Sequence, residues 1–168
     1  EGDERQRLAV APYTAADAAD VFHIVGGLEG LAGYYAAGMA RPRRQKLAAE
    51  LARINKDLLR EARAKQINAF RAFQLDSSFH RKSVEDSAPP RLLALHDVIK
   101  PQAERYARLY VMALTNELGL SVAEHEVIVD AIRDGDAEAA QRAIQTNWRN
   151  AARRISSVIA EWGESGGW

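Results

Sequence analysis

The sequence predicts an all-α fold, an antiparallel bundle of six to seven helices, and three observations predict it. Alanine, leucine, glutamate and arginine dominate the chain. Apolar residues recur at spacings of three and four, the helical period. Alternating β-branched runs bounded by turn pairs are hard to find.

The elements follow from their punctuation. A first helix runs from about Ala15 to Met39, and "ARPRR" breaks it, with Pro42 suited to the first turn of a second helix that ends near Ala64. A third covers roughly Gln66 to Asp86 and is closed by "APP", because proline removes a donor and restricts the residue before it. A fourth begins at Pro90 and continues through Pro101 with a kink, since Leu92, Ile99, Ala103, Tyr106 and Tyr110 keep one pattern on both sides. Gly119 then reads as a stop with Ser121 as the next cap, and Gly135 with Asp136 repeats the device. Helices five and six therefore form a short-loop hairpin, the last helix reaching Trp162 before a frayed tail over 163–168.

Composition bounds the function. The 168 residues, 47% hydrophobic and 27% charged, suffice for one domain with a real core. Basic and acidic residues balance at 23 each, so this chain alone should grip DNA poorly. There is no cysteine, so any metal must be held by imidazole, carboxylate or amide oxygen. The lack of cysteine fits a cytoplasmic location, and no apolar run approaches the ~20 residues of a bilayer crossing. The polar start EGDERQRLAVAP lacks a methionine, and residues 1–14 read as a linker from a domain upstream, with 15–162 as the helical domain.

Four polar side chains fall on apolar helix faces. Asp76 and His80 lie about 40° apart on a helical wheel, flanked by Ala69, Ala72, Phe73 and Phe79. His125 shares its face with Val122, Ile128, Val129 and Ile132, and Asn147 with Ala140, Ala143, Ile144 and Ala151. A buried carboxylate needs a partner, a metal or a wet cavity. Since His125 precedes the "DGD" turn by about as many residues as Asn147 follows it, the two stand level across the hairpin. A four-point polar cluster inside the bundle fits a nitrogen and oxygen metal site. An Asp–His hydrogen bond beside a separate His–Asn contact would satisfy the same groups without metal, and the residues alone leave both readings open.

Three segments, "LDSSFH", "AEHEVIVDAIRDGDAEAAQRAI" and "VFHIVGGLEGLAGYYAA", resemble the effector-binding (FCD) domain of the FadR branch of GntR-type bacterial transcription regulators over nearly the whole chain. The resemblance implies an all-helical ligand domain, usually a homodimer, following an N-terminal winged-helix DNA-binding domain. It implies that one aspartate and three histidines hold a divalent ion such as zinc or nickel beneath a pocket for a small carboxylate. The matching positions are Asp76, His80 and His125, with the fourth on Asn147, whose amide oxygen is a weaker ligand for zinc or nickel than imidazole. Three protein ligands plus water or a ligand carboxylate can still complete a shell. Val25 stands where the family often has an arginine for the effector's carboxylate, pointing to a different or less acidic effector.

Around that cluster, Val25, Phe73, His96, Tyr106 and Tyr110 are the candidate effector-pocket residues. Gly26, Gly30 and Gly33 recur on one face of the first helix and call for a close backbone approach, read as tight helix packing or a subunit contact rather than effector contact. The basic group Arg41, Arg43, Arg44 and Lys46 has no interleaved aromatics and reads as a solvated corner. The expected role is a non-enzymatic sensor that modulates DNA binding by a winged-helix domain. The alternatives are a metal-dependent hydrolase or lyase, with Asp76 or Glu124 as base, and an inert dimerisation module.

Overall fold

The computed structural model describes residues 14–113 and 115–162, with the side chains of Tyr110 and Trp162 outside the described set. Thr14 opens the first helix by accepting the Asp17 amide on its hydroxyl at 3.1 Å, and α1 runs Ala15–Ala37. Pro42 sits in the first turn of α2, Arg41–Ala62. The third helix, α3, is Ala69–Ser87, starting later than Gln66 because Asn68 accepts the Arg71 amide at 3.0 Å and caps it. α4 runs Pro90–Ala113 and continues through Pro101. A 3-10 turn, Thr115–Glu117, leads into α5, Leu118–Asp134, and α6 is Ala137–Trp162. Among the described residues there is no strand. Residues 1–13 and 163–168, on which the linker and tail expectations fall, lie outside the described set.

One cap differs from expectation. Gly119 and Ser121 lie inside α5, because the 3-10 turn delivers the chain already helical and Leu118 is anchored in the core. Gly135 behaves as expected: it takes φ 81°, the left-handed conformation that closes α5, and Asp136 then accepts the Ala139 amide at 2.9 Å to start α6. The α5–α6 hairpin is therefore set by two adjacent residues.

α1 and α6 approach each other tightly along the glycine face. A Cβ on Gly26 would stand 2.8 Å from Trp148 Cβ, and one on Gly30 3.2 Å from the Gln141 carbonyl oxygen. A Cβ on Gly33 would collide with Ile144 Cδ1. The glycine face thus serves tight helix packing, bringing buried Phe22 edge-on to Trp148 at 5.1 Å between centroids. The opposite flank of the core is filled by Leu47, Leu51 and Leu58 of α2 and by Ile128 and Ile132 of α5.

Gly27, in the same helix, has nothing within 4 Å of a built Cβ. Gly27→Ala should therefore stabilise the fold by about 0.5–1 kcal/mol through helix propensity alone. Gly26→Ala should lose about 1–3 kcal/mol through overpacking against Trp148. Thermal melts of the two variants should move in opposite directions, and a loss of stability in Gly27→Ala would refute this division.

Candidate metal centre

Asp76 and His80 come from α3 and His125 from α5, and one ligand atom from each lies within 4.8 Å of the others. Asn147 of α6 lines a cavity of about 20 Å³ beside them, together with Asp76, His80, Phe22, Ser121 and Trp148. One water or one ion fills such a space. The four inward polar residues predicted from periodicity therefore converge from three helices. Asp76 Oδ1 and His125 Nε2 stand 3.7 Å apart, too long for a hydrogen bond. Ligand atoms on a four-coordinate ion stand about 3.3 Å apart, so a small contraction suffices.

The polar atoms around the cavity have fixed roles. Asn55 of α2 donates its Nδ2 to the Val122 carbonyl at 3.0 Å, so its Oδ1 must be the acceptor for His125 Nδ1–H at 3.1 Å. That sets the tautomer of His125 and leaves Nε2 as a lone pair, buried and without a hydrogen-bond partner. His80 Nδ1–H likewise donates to Glu29 Oε2 at 2.7 Å, which leaves Nε2 as the ring nitrogen for the cavity side. Phe79 stacks on His125 at 3.9 Å between centroids and holds the ring plane. The buried, unpartnered Nε2 of His125 thus lies close to the His80 imidazole and the Asp76 carboxylate. Such a donor set fits a divalent cation, and it is a candidate metal site.

The electrostatics agree. Burial pushes the Asp76 carboxyl above its ordinary range, with His80 and Lys100 opposing only in part. Burial also holds His125 well below the usual imidazole range, so its lone pair is available at neutral pH with no proton to displace. Asn147 donates Nδ2 to Glu124 Oε2 at 2.8 Å, which leaves its oxygen as the atom open to the cavity. Glu124 is in turn clamped by Arg154 at 2.9 and 3.1 Å.

Glu29 of α1 was not anticipated. Its buried carboxylate accepts from His80, from His96 Nε2 at 3.0 Å, from Lys100 Nζ at 2.9 Å and from Trp148 Nε1 at 2.8 Å. Burial alone would raise its pKa, but Lys100, His80 and His96 outweigh it and hold the carboxyl well below the usual range. Glu29 shares its wheel position with Phe22, Val25 and Ala36, so the test that found Asp76 would have found it too. Asn55, on a face with Leu51 and Leu58, carried the same signal.

The candidate effector-pocket residues sit elsewhere. Val25 is wholly buried in the main core. Phe73 lines an open groove between α2 and α3, with the Arg108 guanidinium 5.2 Å from its ring. His96 belongs to the Glu29 cluster. Tyr106 donates its hydroxyl to Asp17 at 2.6 Å, and the Tyr110 side chain lies outside the described set. None of the first four lines the cavity at Asp76.

A helical bundle that brings two imidazoles and a carboxylate together in its interior has the character of a small-ligand binding module. An FCD domain model matches residues 20–150, and the chain belongs to that family, the C-terminal effector-binding domain of FadR-type GntR regulators. FCD domains are regulatory ligand-binding domains. No curated protein matches the chain. No helix among the described residues is long and apolar enough to cross a membrane.

Without an ion, Asp76 is a largely enclosed carboxylate whose desolvation costs the fold stability. Asp76→Asn should raise the melting temperature of chelator-treated protein while weakening zinc affinity by about tenfold or more. Calorimetry with zinc and melts without it measure the two. A fall in metal-free stability would mean that Asp76 serves the core rather than an ion.

Proposed function

We propose that this chain is the ligand-sensing domain of a GntR-type regulator. In this reading Asp76, His80 and His125 hold a divalent ion such as zinc or nickel, with Asn147 Oδ1 or water in a fourth position. A small organic acid or related metabolite adjusts DNA binding by a winged-helix domain outside this sequence. One observation carries the reading: the buried Nε2 of His125 has no hydrogen-bond partner and lies within 4.8 Å of a ligand atom of Asp76 and of His80. The ion would supply a Lewis-acidic centre for an effector's oxygen.

So small a cavity admits an organic acid only if its walls move, and that movement is the natural signal. Ala107 lines the cavity, which puts α4 in the wall and Tyr110 one turn further along it. Val25, Phe73, His96 and Tyr106 would then contribute only after such a rearrangement.

The exposed apolar residues support a homodimer. Ile24 (52% exposed), Leu31 (37%) and Tyr35 (42%) form a stripe along α1, and Leu95 (60%) and Val98 (72%) stand out on α4. Leu28 and Leu93 each pack against the small buried cluster of Ala32, Val84 and Leu92, where the two helices meet. Leu95→Glu with Val98→Glu should yield a monomer by sedimentation, whereas an unchanged mass would move the interface off α4.

Zinc or nickel added to chelator-stripped protein should raise its melting temperature, by about 2.7 kcal/mol of stabilisation at a hundred times the dissociation constant. Among small organic acids screened the same way, a ligand should add to the shift only when metal is present. Asn147→His should tighten zinc by about tenfold. A flat thermal response to every ion, with no metal in the purified protein, would remove the ion from this reading.

A further inference from the structure

The carboxylate of Glu29 touches no ion-facing atom, yet it contacts a proposed ligand from behind. We propose that Glu29 is the positioning residue of the ion site: it fixes the His80 tautomer that presents Nε2 to the cavity and ties that imidazole to α4. This rests on the ion-site reading above.

Three observations carry it. His80 Nδ1 meets Glu29 Oε2 at 2.7 Å with both groups buried, so no water competes for the proton. A metal-bound imidazole whose other nitrogen donates to a carboxylate is oriented and made more basic. Glu29 is itself held: Lys100 and His96 of α4 bind Oε1, and Trp148 of α6 binds Oε2. Lys100 also lies over the Trp148 ring, 4.7 Å from its centroid. The carboxylate therefore cannot rotate away from His80 without releasing a buried lysine. His125 has only a neutral amide behind it, from Asn55, so Glu29 is the charged member among the groups that orient the two imidazoles.

The test uses Glu29→Leu, which leaves no acceptor behind His80, and, because a lone buried lysine could unfold that variant, the doubly neutral Glu29→Leu/Lys100→Met. Nitrogen-15 spectra of the imidazoles in chelator-treated protein read the tautomer directly. Wild type should show His80 protonated on Nδ1 alone, and the variants should show both tautomers. Zinc affinity, measured by competition with a chromophoric chelator, should fall about 10–100-fold in the double variant. A folded double variant that keeps the Nδ1–H tautomer overturns the proposal, whether its zinc affinity is retained or lost. If wild type binds no divalent ion, the ion reading fails instead, and the metal-free spectra still decide whether Glu29 sets His80.

Discussion

A carboxylate enclosed by protein loses its hydration, and several kcal/mol must be recovered locally. At Glu29 the recovery comes from Lys100 and from the N–H groups of His80, His96 and Trp148. Trp148 can reach it only because α6 lies against α1 where Gly26 has no side chain. The glycine face, the tryptophan and the acid are thus one device. The approach of two helices lets an indole satisfy an anion in the middle of the bundle.

From that anion outward, the candidate metal centre has two layers. His80 is backed by Glu29 and His125 by Asn55, so each imidazole turns its Nε2 inward. Asn147, where the family pattern suggests a third histidine, is backed by Glu124, which Arg154 holds in place. An amide donating to a carboxylate is polarised, and its oxygen becomes a better acceptor. If Asn147 serves as the fourth ligand, that polarisation would make up part of what the change from imidazole to amide takes away.

How much of this could be read in advance depended on where the signal lay. Asp76 and His80 sit one helical turn apart on an apolar stripe, so periodicity alone turns them inward, and Gly135 with Asp136 fixes the hairpin that levels His125 with Asn147. Glu29 carried the same signal but stood among glycines, whose spacing spoke first of backbone contact. Its partners were a different matter: they lie 51, 67, 71 and 119 positions away, and only tertiary packing brings them together. Ser121 was misread for a local reason. A polar residue after a glycine suggests a cap, but burial of Leu118 had already committed the chain to helix.

The helices that hold the acid also carry the exposed apolar stripes. On α1, Glu29 points into the bundle while Ile24, Leu31 and Tyr35 face outward; on α4, His96 and Lys100 point inward while Leu95 and Val98 face outward. A side-chain shift at His80 is felt by Glu29 directly, and Glu29 is bonded to α4 by two of its four donors. Coupling between a ligand site and a distant surface requires an element with two arrangements that both ends can bias. The α1–α4 pair has the connections for that role, because Glu29 of α1 is bonded to both His96 and Lys100 of α4. In a regulator's effector domain, such a pair would let one ion-sized cavity speak to the surface through the packing of the helices themselves.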